Sequence, residues 1–169
     1  MLTVDGIPAH PLVVHAVVVL LPLAAVGTLL VVARPVWRQQ LGVWVLLLAL
    51  GGVAAVPVAS QTGEQLEHAL GGSDLIKIHE GRADTLLIPA LIFLALLAAT
   101  VLTGRRTGVR VDGPGAAHAL TGNTGNTATL SRVTLITGIL AALAGLIVTG
   151  LVVWIGHAGS AAAYSGIGG

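Results

Sequence analysis

The sequence predicts an all-α integral membrane protein, an antiparallel four-helix bundle with both termini on the extracytoplasmic side. Three observations predict this fold class. Hydrophobic residues make up 55% of the chain and charged residues only 9%, and the mean hydropathy is +0.95, which lies outside the range of ordinary soluble domains. Four apolar stretches have the length of a membrane span, and the arginines concentrate in alternate connections between those stretches.

The four spans should all be helices of a single domain, residues 1–169. Each stretch is long enough to cross about 30 Å of hydrocarbon, which takes roughly 20 helical residues. A lipid-exposed strand would leave its backbone polar groups unpaired, so a helix is the only suitable element. The predicted spans are about 12–33, 41–60, 85–103 and 133–155.

The first span is interpreted as retained in the membrane, because no basic residue precedes it and it is longer than the apolar core of a secretory signal.

Small residues four apart predict the packing faces of the second and fourth spans, since they allow helix backbones to approach closely in lipid. These residues are Gly51, Ala55 and Ala59 on span two and Ala141, Gly145 and Thr149 on span four.

The connections differ in character. The first is only a few residues long, which favours an up-down bundle. The second is rich in ionisable residues, and its first helical stretch should end at Gly71–Gly72. Residues 104–131 are rich in Gly, Thr and Asn and predict a flexible cytoplasmic loop.

The positive-inside rule sets the orientation. The first and third connections carry most of the arginines, whereas the middle connection holds only Lys77 and Arg82 and the termini hold no Lys or Arg. The first and third connections should therefore face the cytoplasm, and the termini and middle connection should face outward. The cytoplasmic arginines are Arg34, Arg38, Arg105, Arg106, Arg110 and Arg132.

Composition also excludes several kinds of site. The chain has no cysteine, so disulfides, thiolate-bound iron–sulfur clusters and c-type haem attachment are excluded. A net charge of +1 indicates no nucleic-acid partner. No nucleophile elbow, phosphate loop or metalloprotease helix is present. No midplane carboxylate or inverted repeat points to a transporter.

The predicted topology gathers five of the six histidines at the outer end, together with six of the seven acidic residues. His15 is the most informative, because it lies about one turn inside its span and should point into the protein, where polar residues usually face. His10 is rotated about 140° from it on an ideal helix. The other outer histidines are His68, His79 and His157, and only His118 is cytoplasmic.

Three hypotheses account for these histidines. In the first, His15 and His79 are the axial ligands of a b-type haem held among the helices, with His10 and His157 as a second pair. Arg82 would then meet the haem propionates.

In the second hypothesis, His68, Glu64 and Glu80 bind a transition metal such as copper or zinc at the outer surface. In the third, the same polar groups form a hydrogen-bonded lid of a structural membrane subunit and bind no cofactor.

Four short motifs resemble those of a bacterial four-helix membrane family that is catalogued only as a domain of unknown function. They are HPLVVH at His10–His15, TGE at Thr62–Glu64, HE at His79–Glu80 and GH at Gly156–His157. The resemblance covers nearly the whole chain. It implies the same topology. Some members of that family resemble fusions to Rieske-type domains, which implies a link to respiratory electron transfer.

We therefore favour the haem hypothesis, with the imidazoles converging at a shared depth near the outer surface. The expected role is electron transfer, or that of an accessory to a respiratory complex, in the bacterial plasma membrane, without catalytic activity of its own. The expected partners are the lipid bilayer, a respiratory-chain or Rieske-type protein, and a second copy of the chain.

Overall fold

A computed structural model describes residues 3–4, 7–70, 83–108 and 124–164. The chain starts with a two-stranded antiparallel ribbon in which Thr3 pairs with Pro8. Four long helices follow, and a 3₁₀ turn at Asp84–Leu86 leads into the third. The elements are β1 (Thr3–Val4), β2 (Ile7–Pro8), α1 (Ala9–Ala33), α2 (Pro35–Leu70), α3 (Leu87–Gly108) and α4 (Thr124–Tyr164).

The predicted all-α membrane fold is confirmed, because all four helices are long and apolar enough to cross a membrane. Most of the helices are longer than the spans read from the sequence. α3 and α4 also extend into residues 104–131, where the sequence predicted a loop, and residues 109–123 lie outside the described part. The candidate spans are Ala9–Ala33, Pro35–Gln65, Leu87–Arg105 and Thr129–His157.

The connection between α1 and α2 is a single residue, Arg34. Its amide still donates to the Leu30 carbonyl at 3.3 Å, and its own carbonyl accepts from the Arg38 amide at 3.1 Å. The chain reverses here because Pro35 has no amide proton and its ring disfavours a helical conformation at the preceding residue. Pro35 also suits the first position of α2, where the missing donor costs nothing.

Each helix packs mainly against its neighbours in the chain, and α4 closes the ring against α1. Residues near the start of one helix contact residues near the end of the next. In the α1–α2 interface, for example, Gly27 faces Val45 while His10 faces Gly63. The structure is therefore the antiparallel up-down bundle that the short first connection predicted.

The centre of the bundle is a continuous apolar core with contributions from all four helices. Each buried threonine hydroxyl contacts a carbonyl of its own helix. The Thr28 hydroxyl, for example, is buried and donates to the Ala24 carbonyl at 2.8 Å. The largest fully buried side chains are Phe93, Leu21, Leu97, Val31, Val101 and Val148.

The small-residue face predicted for span four is confirmed at Gly145. A Cβ atom there would lie 3.0 Å from Phe93 Cε2 and 3.1 Å from the Ala25 Cβ. On α2 the closest approach is instead at Gly52, where a Cβ would lie 2.8 Å from Leu21 Cδ2, while Gly51 is exposed. The predicted α2 face is therefore confirmed at Ala55 and Ala59, which pack against the core, and is wrong at Gly51.

Candidate functional site

The two ends of the bundle carry different chemistry. We call the end formed by the start of α1, the end of α2, the start of α3 and the end of α4 the histidine end, because His10, His15, His68 and His157 all lie there. The opposite end, which holds Arg34 between α1 and α2, is the arginine end.

Among the described histidines, His10 is the one that faces the bundle. It lies seven residues, about two helical turns, before the buried Val17, and its ring packs into the α1–α2 interface. A Cβ atom on Gly63 would lie only 3.1 Å from His10 Cε1. A glycine at this position of α2 therefore leaves the space that the imidazole occupies.

The ring nitrogen Nδ1 of His10 is held by contacts with α2. It lies 3.1 Å from the Ala59 carbonyl oxygen and 3.3 Å from Thr62 Oγ1. The Thr62 hydroxyl has its own acceptor, the Val58 carbonyl at 2.8 Å. Because a carbonyl oxygen can only accept, Nδ1 carries a proton and donates it to Ala59. The sequence marks Thr62 only as part of the TGE motif, so this role was not predicted.

His15 faces away from the bundle, contrary to the expectation that it points into the protein. It is exposed, and its Nδ1 donates to the Pro11 carbonyl of its own helix at 2.6 Å. On a helix of 3.6 residues per turn it lies about 140° around from His10. Once His10 packs toward the core, His15 must project outward.

His157 also projects outward. It is exposed and lies two residues, more than half a turn, beyond the buried Ile155 of α4. His10, His15 and His157 therefore surround the histidine end without forming a common pocket. The proposed partner of His15, His79, lies outside the described residues, as do Glu80 and Arg82.

The predicted metal ligands on α2, Glu64 and His68, are four residues apart on one exposed helical face. Both lie on the opposite side of α2 from Ala59 and Gly63, which contact His10. Within residues 7–70, 83–108 and 124–164, no three His, Asp or Glu side chains are grouped closely enough to hold a metal ion.

Polar contacts between α3 and α4 toward the arginine end were not foreseen from the sequence. The Thr100 and Thr137 hydroxyls lie 3.1 Å apart, and those of Thr134 and Thr103 lie 2.9 Å apart. Each hydroxyl also contacts a carbonyl of its own helix. The available signal was the pairing of threonines three residues apart on both spans, because such hydroxyls commonly bond across membrane helices.

Comparison with known proteins gives one family. The sequence model described as "Predicted membrane protein (DUF2231)" matches residues 6–168. No curated protein and no solved structure matches the chain. The match covers nearly the whole chain, as the resemblance drawn from its motifs predicted.

Proposed function

This chain belongs to the DUF2231 family of predicted membrane proteins, and from that premise we propose that its histidine end binds a b-type haem for electron transfer. His10 is the proposed axial ligand, in place of the His15 that the sequence favoured. The second ligand would be His79, which belongs to the segment joining the ends of α2 and α3 at this end of the bundle. Arg82 of the same segment is the proposed propionate partner.

The orientation of His10 is the observation that supports this proposal. Histidines that bind metals commonly donate the other ring nitrogen to a carbonyl, which fixes the ring and raises the basicity of the ligating nitrogen. The contact between Nδ1 and the Ala59 carbonyl at 3.1 Å has this form. A ring oriented in this way suits iron ligation through Nε2, and the bound iron would supply one-electron chemistry.

A difference spectrum of the full-length protein tests the proposal. Detergent-extracted wild-type protein should show a Soret band and sharp α and β bands on reduction, and His10→Ala should abolish them. His15→Ala is the matched control, because it removes an exposed imidazole of the same helix and should leave the spectrum unchanged. Loss of the bands in His15→Ala alone would return the assignment to His15.

A transition-metal ion, copper or zinc, is the second candidate. Buried side chains fill the centre of the bundle near this end, including Val17, Leu86 and Ile155, and an ion needs less room than a porphyrin. Metal analysis of the same sample would then report copper or zinc without a porphyrin spectrum. If neither signal appears and His10→Ala only lowers thermal stability, His10 serves to join α1 to α2 in a structural subunit.

The proposed location is the bacterial plasma membrane, with the arginine end in the cytoplasm and both termini outside. The grouping of Arg34, Arg38, Arg105 and Arg132 at one end of the bundle supports this orientation. A haem near the outer surface would exchange electrons with a respiratory-chain or Rieske-type partner, and a homodimer is compatible with the exposed apolar helix faces.

A further inference from the structure

Arg38, at the arginine end, has a buried donor that needs an acceptor. Its Nε is buried and has no hydrogen-bond partner among the residues that the structure describes. The side chain lies against α3 at Gly104, where a Cβ atom would be 2.5 Å from Nε and 2.7 Å from Cδ. Gly104 is therefore what lets the guanidinium pack against the backbone of α3.

The surroundings of Arg38 are cationic. Arg34, Arg105 and Arg132 are exposed at the same end, and the contact between Thr103 and Thr134 places Arg105 and Arg132 at similar depth on α3 and α4. The sequence has no Asp or Glu in residues 6–63, 85–111 or 113–169. No Asp or Glu among the described residues lies at this end, and Asp112, in the connection between α3 and α4, lies outside those residues. An anion from outside the chain would supply the acceptor that Arg38 lacks.

The depth of Arg38 indicates the chemical class of that anion. One turn farther into the membrane, a Cβ on Gly42 would be 3.2 Å from Val101 Cγ2, so Arg38 lies at the boundary of the apolar core. The Arg34 guanidinium is 4.9 Å from the centroid of the Trp37 ring, and tryptophan is typical of the headgroup level. Phosphates of lipids are the abundant anions at this depth.

We propose that Arg38 and the Gly104 face of α3 form a binding site for the phosphate of an anionic phospholipid headgroup. The planar guanidinium presents several donors in a geometry that matches a phosphate. An acceptor there would satisfy the Nε group, whose burial without a partner is otherwise costly. The exposed Arg34, one turn before Arg38, and Arg105, next to Gly104, would attract the headgroup and favour a negatively charged lipid.

Native mass spectrometry of the full-length protein tests this site. The protein, released from detergent after exposure to phosphatidylglycerol or phosphatidylcholine, should retain phosphatidylglycerol preferentially. Arg38→Gln should reduce that retention about tenfold, the loss expected for one hydrogen bond to a charged group. Arg132→Gln is the matched control, because it removes an exposed cation of the same end, and it should change retention less than twofold.

Gly104→Ala gives a second variant that leaves the charge unchanged. Its added methyl group would displace the guanidinium and should lower phosphatidylglycerol retention as Arg38→Gln does, with helical circular dichroism confirming the fold. Equal retention of both lipids by the wild-type protein would overturn the proposal. So would equal losses in Arg38→Gln and Arg132→Gln, or displacement of the lipid by millimolar inorganic phosphate, which would indicate a site for a soluble anion.

Discussion

At the residue scale, His10 and His15 of α1 have different environments, because His10 packs against α2 and His15 is exposed. The spacing of His10 and His15 predicted that they point about 140° apart, but the prediction that His15 faces the bundle was wrong. Lipid-facing side chains are as apolar as buried ones, so α1 lacks the polar face that marks the exterior of a soluble helix. The small buried residues Ala24, Ala25 and Thr28 indicate the inner face better than hydropathy does.

Gly145 gives a stability prediction at the same scale. Gly145→Val should destabilise the protein by about 1–3 kcal/mol, the usual cost of overpacking, because the new Cβ would meet Phe93 at 3.0 Å and the Ala25 Cα at 3.3 Å. The measurement is thermal unfolding in detergent, followed by circular dichroism.

Gly150→Val is the control for that experiment. It lies on the same helix and has the same change in helix propensity, but no described atom lies within 4 Å of the added Cβ. Equal loss of thermal stability in the two variants would contradict a tight α1–α3–α4 contact at Gly145.

At the element scale, the sequence predicted the number, order and type of the helices because each must contain about 20 apolar residues to cross the bilayer. The helix ends were less predictable. α2 reaches Leu70 and α4 reaches Tyr164, well past their apolar stretches. Hydropathy reports where a helix leaves lipid, whereas the hydrogen bonds of the helix backbone continue beyond that point.

The threonine contacts between α3 and α4 should couple these two helices. Thr103→Val and Thr134→Val should each lower stability by roughly 0.6 kcal/mol, the average for interhelical hydrogen bonds in membranes. The double variant should lose less than the sum of the single losses, because both remove the same 2.9 Å contact.

The double-mutant cycle is measured by unfolding in detergent. Thr149→Val is the control on α4, since the bond that the structure gives Thr149 runs to the Gly145 carbonyl of its own helix at 2.9 Å. The losses of stability in the control pair, Thr103→Val and Thr149→Val, should add. If the losses in Thr103→Val and Thr134→Val also add, the contact between α3 and α4 contributes nothing to stability.

At the scale of the whole molecule, the arginines and the histidines of the described residues lie at opposite ends of one bundle. The sequence predicted this segregation because strict alternation of antiparallel spans determines the end on which each connection lies. It did not predict the geometry of the candidate site. Whether side chains from different helices meet depends on the rotation of each helix, which composition does not encode when every face is apolar.

The orientation can be tested directly because the chain has no cysteine. His68→Cys at the histidine end and Gln39→Cys near the arginine end both replace exposed residues. In intact bacteria, a membrane-impermeant thiol reagent should label His68→Cys at once and Gln39→Cys only after permeabilisation. The opposite pattern would place the arginine end outside and invalidate the proposed topology.

The single-residue connection at Arg34 has a consequence for how the protein is made. With only Arg34 between Ala33 and Pro35, α2 begins at the membrane surface once α1 spans the bilayer, and leaving its apolar residues in water is costly. The two helices should enter the membrane together as a preformed hairpin, with the arginine at its tip left behind on the side of synthesis. α1 and α2 would then form the first half of the bundle, and α3 and α4 would pack against it after their synthesis.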